Sequence, residues 1–214
     1  MKHMQPEFTV PAIDGIITAD QVRSTGQTIA DLQLPTGQVP WFPGGHCDPW
    51  NHVETAMALD VVGLHTEAAA AYGWLRDMQL PDGSWYQYYL GNDVEQEKFD
   101  ANTIAYIAVG VWHHWLLTGD RDFLNKYWAV VDTAVNWVLE LQRADGDIVW
   151  ARHADGTAFS FSLLTGSSSI SHSLKAAIAI ADELGHVRPT WRPATAALCA
   201  CIRDNEAAFA PKKR

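Results

Sequence analysis

Two carboxylates stand where helices should begin: Asp48, followed by Pro49, and Asp100, followed by Ala101. Asp48-Pro49 sets a capping oxygen before a proline at the first helical position, where the missing N–H costs nothing. Other reactive groups gather near them: His46, Cys47, Asn51, His52 and Glu54 at the first, Asn102 at the second. Ser169, Ser171 and His172 sit at the head of a later apolar stripe. Helix N-termini present free N–H donors and favour anions. Trp50, Trp85, Tyr86, Tyr88, Trp150 and His153 lie in loops or at helix starts, where a flat ring can stack on a sugar or face a carbocation. Capping alone would also explain Asp48, Asp100 and the serines. Their convergence at one mouth is what would make them a site.

Two chemistries fit these residue types. Cleaving a glycosidic bond needs a carboxylic acid and a carboxylate roughly 5–9.5 Å apart. Asp48, Glu54, Asp93, Glu95 and Asp100 supply candidates. An isoprenoid cyclase or transferase needs an aromatic cavity with a strong proton donor or a cationic diphosphate clamp. No DxDD cluster is present, and Lys98, Arg152 and Lys175 are scattered. The catalytic candidates are therefore Asp48, Glu54 and Asp100. The substrate-binding candidates are His46, Trp50, His52, Trp85, Tyr86, Asn102, Trp150, His153 and His172. No metal and no cofactor is expected: His46-Cys47-Asp48 offers zinc-type ligands, but three consecutive residues seldom converge on one tetrahedron. His113 and His114 diverge by roughly 100° on a helix, so they read as packing and surface. Trp74, Trp128 and Trp137 read as core.

The elements that must hold these residues are helices. Thr18 and Gln21 form a capping box opening a helix to about Gln33. A second runs from Asp48 to about Leu64, and a third from a Thr66 cap to about Gln79. A fourth begins at Asp100, with Ile104, Ile107 and Val111 on one side, and stops at Gly119. Phe123, Tyr127, Val130, Ala134, Trp137 and Leu141 mark the apolar face of a fifth. Ile170, Leu174, Ile178 and Ala181 mark a sixth ending at Gly185, and a seventh covers about Thr190 to Phe209. Trp85–Tyr89 and Ile148–Trp150 could form short loop strands.

The organisation is repetitive. Gln33-Leu-Pro-Thr-Gly37, Gln79-Leu-Pro-Asp-Gly83 and Gln142-Arg-Ala-Asp-Gly146 share one pattern after an apolar helix, and Trp41, Trp85 and Trp150 follow them. Each unit reads as a helical hairpin that cannot bury its own apolar face and must stack on its neighbours. The helices at 49–64, 100–117 and 170–184 are expected to line the inside, with their N-termini at one mouth.

Tyr72-Gly-Trp74 through Gln79-Leu-Pro-Asp-Gly83-Ser-Trp85 resembles the QW repeat of squalene–hopene cyclases and related prenyltransferase-like toroids. Asp100 through Leu117-Thr-Gly-Asp-Arg-Asp-Phe-Leu124 and on to Trp137 is similar to the six-hairpin, glucoamylase-like glycosidases. The chain as a whole resembles bacterial toroid proteins labelled prenyltransferase. That resemblance implies an all-α fold of antiparallel hairpins forming part of an (α/α)6 toroid. A full ring has about twelve helices against about seven here, so the chain is expected to be truncated at its C-terminus. Residues 1–15 read as an extension and 16–214 as the partial toroid. The functional readings are a glycoside-processing enzyme first, an isoprenoid-directed toroid second, and a non-catalytic interaction domain third.

Composition bounds the partners. The chain has 214 residues, 48% of them hydrophobic and 19% charged, which excludes disorder. A net charge of -10 argues against nucleic acid. A small-molecule substrate, sugar or isoprenoid, is the expected partner, with self-association through an open toroid edge. No apolar run reaches membrane length, and the N-terminus lacks a signal-type apolar region. The three cysteines, odd in number and forming no CxxC pair, suit a reducing cytoplasm.

Overall fold

The structure, a computed structural model, describes residues 9–209. α1 (Ala19–Leu32) opens with both halves of the capping box: Thr18 Oγ1 accepts from the Gln21 N–H, and Gln21 Oε1 accepts from the Thr18 N–H. α2 (Pro49–Val61) starts at the Asp48 cap, and α3 (His65–Met78) follows a single-glycine turn at Gly63. The cap of α3 is Leu64, without a side-chain bond, and Thr66 lies inside the helix. A two-stranded ribbon of β1 (Tyr88–Leu90) and β2 (Asp93–Gln96) then leads to β3 (Lys98–Asp100).

The fourth expected helix comes in two pieces, α4 (Ala101–Ala105) and α5 (Ile107–Thr118). The interruption is Tyr106, whose carbonyl accepts from the Val109 N–H three residues on, a tightened turn within an otherwise continuous helix. α6 (Arg121–Leu139) carries the predicted apolar face, with Phe123, Tyr127, Val130, Ala134 and Trp137 all buried. β4 (Ala151–His153) pairs antiparallel with β3. α7 (Leu164–Leu184) starts six residues before Ile170, since its first turns are serine-rich and carry no apolar period. α8 (Trp191–Asp204) ends earlier than its periodicity suggests; a 3-10 turn (Glu206–Ala208) then delivers Phe209 to pair with Ser162.

The three Q-x-x-x-G turns do the same mechanical work three times. Gln33 Nε2 donates to the Gly37 carbonyl of its own turn and to the Glu67 carbonyl of α3. Gln79 does so to Gly83 and to Val130 of α6, and Gln142 to Gly146 and to Ala194 of α8. Each glutamine thus fastens one hairpin's turn to the next hairpin's helix. The glycines are required there: Gly37, Gly83 and Gly146 have φ between 92° and 95°, and a Cβ would meet the backbone of Ala70, Thr133 or Ala197 at 2.3–2.6 Å.

α1, α3, α6 and α8 are therefore successive outer helices. α2, α4–α5 and α7 pack against one another inside them. A second repeated device sets the inner ends. The residue before each inner helix pairs with the segment beyond the next outer helix: Cys47 with Tyr89, β3 with β4, Ser162 with Phe209. The inner-helix N-termini consequently share one end of the array. Among the described residues no helix is long and apolar enough to cross a membrane.

Candidate functional site

Asp48 is 4% exposed and holds the start of α2. Its Oδ1 accepts from the Asn51 N–H at 2.9 Å; its Oδ2 accepts from Asn51 Nδ2 at 2.7 Å and from the Trp41 indole at 2.8 Å. Asp100 repeats the arrangement on α4. Its Oδ1 accepts from the Asn102 and Thr103 N–H groups, and its Oδ2 from Trp150 Nε1. Lys98 places its ammonium 4.4 Å from the Trp150 ring. At 7% exposure, burial pushes the Asp100 carboxyl above the usual carboxylate range. Its hydrogen bonds and Lys98 pull the other way without cancelling that effect.

Further along α2, Glu54 Oε1 accepts from the Tyr106 hydroxyl, and the Tyr106 ring stacks on Trp50 at 4.8 Å. Burial and this bond keep the phenol protonated by raising its pKa. Trp50 Nε1 is buried with no hydrogen-bond partner among the described residues, as are Asn102 Oδ1, Ser167 Oγ and Ser169 Oγ. Asn102 faces the start of α7: a Cβ on Gly166 would lie 3.8 Å from Asn102 Cβ. Buried polar atoms left without a protein partner call for one from outside the chain, such as a water or a polar ligand group. Trp150 is backed by Phe159 and Phe161 at 4.8 and 5.4 Å.

The other sequence-derived residues fall into two groups. His46 is partly buried; it stacks on Tyr88 at 4.8 Å and its Nδ1 meets Glu95 at 3.1 Å. Tyr86 stacks on Phe99 beside Trp137. His153 is exposed and stacks on Phe159, and His172 is exposed on α7. Asp93 is an exposed ribbon residue. By contrast, His52 and Trp85 are placed in the core. His52 is fully buried, its Nδ1 accepting from the Val39 N–H and its Nε2 bonded to the Ala71 carbonyl, and burial lowers its pKa to about 4. Trp85 is 1% exposed and donates to the Leu75 carbonyl.

Nor do the metal-type ligands converge: among the described residues no group of three His, Cys, Asp or Glu side chains could hold a metal ion. The Cys47 thiol is buried and its pKa driven well up. His114 is buried and hydrogen-bonds Asp60, with Phe123 against its ring. Trp41, Tyr106, Phe159 and Phe161 lay outside the sequence-derived set. Trp41 and Trp150 had a signal: each stands four residues beyond its turn glycine. Tyr106 had none, because its role depends on α2 lying alongside.

No family model matches the chain. Over 205 residues it is 47% identical to the MMP endo-(1,4)-3-O-methyl-alpha-D-mannosidase of Mycolicibacterium hassiacum, a match covering 96% of this chain and 57% of that protein. An uncharacterized glycosyl hydrolase, MJ1610, of Methanocaldococcus jannaschii is 30% identical over 84 residues, 39% of this chain and 14% of that protein. Among solved structures, a D-mannose isomerase superposes with TM-score 0.63 at 11% identity, covering 88% of this chain and 52% of the other. A heparin-specific unsaturated glucuronyl hydrolase gives 0.63 at 13%, covering 87% and 55%. The family 76 mannosidase Bt3792 of Bacteroides thetaiotaomicron gives 0.58 at 10%, covering 78% and 48%. The fold is part of an α/α toroid. The chain spans 57% of the mannosidase and about half of each of these structures. None of these proteins bears an isoprenoid-directed name. The prenyltransferase and cyclase resemblance therefore finds no support.

Proposed function

We propose that this chain forms a glycoside-processing mouth that acts on an internal α-1,4 linkage of an O-methylated mannan-type polysaccharide. The 47% identical mannosidase supports the substrate class. The observation that carries the reading is Asp100: a carboxyl buried beside a tryptophan at an inner-helix N-terminus, with its pKa raised. Such a group holds a proton at higher pH than a free aspartate and can deliver it to a leaving glycosidic oxygen.

Asp48 is the partner carboxylate. It caps α2, which packs beside α4. Trp50 Nε1, Asn102 Oδ1 and Ser169 Oγ are the groups left to bind sugar hydroxyls.

A specific observation favours a second reading, a sugar-binding domain without turnover. Both cap carboxylates already accept three hydrogen bonds apiece. The two readings separate when the chain is incubated with α-1,4-linked methylmannose oligosaccharides, chain length followed by chromatography and product anomer by NMR. Cleavage, lost about 100-fold or more in Asp100→Asn and Asp48→Asn, supports the enzyme. Binding without cleavage supports the second reading. Absence of both defeats the two together.

A further inference from the structure

An acid at Asp100 needs a carboxyl oxygen with a lone pair still free for its proton. Oδ1 has none, since it accepts from the N–H groups of Asn102 at 2.9 Å and Thr103 at 3.2 Å. Oδ2 accepts one hydrogen bond, from the Trp150 indole, and keeps its second lone pair. A proton on this carboxyl therefore sits on Oδ2, and Trp150 sets the direction in which it points.

Trp150 is itself held in place. Its carbonyl accepts from the Ala101 N–H, and its own N–H donates to the Phe161 carbonyl, which fixes the backbone. Phe161 stacks on the ring and Phe159 leans on it. The remaining hold is Lys98. Lys98 and Asp100 are two residues apart on β3, so both project from the same face of that strand. Asp100 reaches the N–H edge of the indole, while the Lys98 ammonium lies 4.4 Å from the ring centroid. Among the described residues Lys98 forms no ion pair, so its charge is spent on this ring. A cation over the ring also polarises the indole and strengthens its N–H as a donor.

The other charged groups nearby are engaged elsewhere. Across the ribbon, Arg152 meets Glu140 at 3.3 Å and lies over Trp137, and His153 stacks on Phe159. On α2, Asp48 holds Trp41 and Asn51, and Glu54 accepts from Tyr106. On α6, Arg121 pairs with Glu183, Asp132 pairs with Arg188, and Lys126 lies over Tyr127. The first turns of α7, from Leu164 to Ser171, carry no titratable side chain.

We infer that Lys98 is a positioning residue for Asp100: its ammonium clamps Trp150 so that the indole N–H fills one lone pair of Oδ2 and leaves the other for the acid's proton. This rests on the glycoside reading above and adds how its acid is aimed.

The test uses Lys98→Met and Lys98→Arg, at a partly exposed ribbon position whose substitution spares the core. Carbon NMR follows the titration of the Asp100 carboxyl in the free chain. The pH profile of kcat/KM is read on α-1,4-linked methylmannose oligosaccharides. Lys98→Met should move both the Asp100 titration and the alkaline limb upward, and Lys98→Arg, which keeps a cation on the ring, should return them to the parent's positions. Repeated in Trp150→Phe, which lacks the N–H, the effect of Lys98→Met should shrink to roughly half or less. A titration that stays at the parent's position in Lys98→Met overturns the proposal, even if the melting temperature falls. So does a shift of undiminished size in Trp150→Phe, which would show the ammonium acting on Asp100 directly. Absence of cleavage by the parent chain defeats the glycoside reading instead, and the NMR titrations still decide whether Lys98 acts through Trp150.

Discussion

Trp150 donates its indole N–H to Oδ2 of Asp100, fifty residues earlier in the chain, and so ties the loop after α6 to the start of α4. Trp41 and Asp48 make the same bond within a single repeat. In both cases a cap carboxylate lies between the helix's own N-terminal donors and the N–H edge of an indole. Burial raises the pKa of Asp100 in spite of these donors.

The indole N–H opposes that rise, so Trp150→Phe should move the Asp100 pKa further up. For a general acid this carries the alkaline limb of the kcat/KM profile to higher pH. A limb that stays put, or moves down, removes Asp100 from the acid's role. Stability has its own sign: with the folded pKa above 3.8, the contribution of Asp100 is complete below that value and lost as pH rises through the folded pKa. Asp100→Asn should flatten that part of the stability profile, read by urea unfolding across pH.

His52 acts in the opposite sense. Its folded pKa is lowered to about 4 from 6.5, so the unfolded chain binds the extra proton. Stability should therefore be complete above pH 6.5 and fall as pH drops toward 4, by about 3 kcal/mol at most. Urea midpoints from pH 7.5 to 4.5 should show this slope in the parent and lose much of it in His52→Asn. An unchanged slope would mean that other groups carry the acid sensitivity.

Gln79→Ala removes the staple between the second turn and α6 and strands the Gly83 carbonyl. The expected loss is about 1–3 kcal/mol by chemical denaturation. Gly83→Ala should cost more, since its Cβ would meet the Thr133 backbone at 2.5 Å at a φ of 95°. Gly91→Ala, also at positive φ but with open space around it, should incur only the conformational strain, roughly 1–2 kcal/mol. If Gly91→Ala is the worse of the two, the close approach at Gly83 does not limit the stacking.

Tyr106→Phe leaves the Trp50 stack in place and removes only the hydroxyl on Glu54. Should Glu54 and Tyr106 orient the sugar, oligosaccharide affinity falls several-fold with unchanged thermal stability; a lower melting temperature at unchanged affinity would make the pair structural.

Local rules alone determined much of this. The Thr18–Gln21 box, the Asp48-Pro49 start and the Asp100 cap are legible because a cap joins residues two or three apart, and no distant partner is needed. The α6 stripe is legible for the same reason, since its burial follows the helical period. The glutamine–glycine turns announced stacked hairpins, although the carbonyls they grip, at Glu67, Val130 and Ala194, lie in the next unit.

The tertiary structure alone decided which of these polar and aromatic groups are sealed in the core. His52 and Trp50 are two residues apart on α2, yet one is sealed between the Val39 and Ala71 backbones and the other stacks on Tyr106. A two-residue step turns a side chain about 200° around a helix, and which side is inner depends on where α5 and α3 pack. Trp85 and Trp150 follow similar turns, but only Trp150 finds a carboxylate, because the β3–β4 pairing brings Asp100 to it. Contacts across fifty residues are set by how hairpins stack, and no local pattern encodes them.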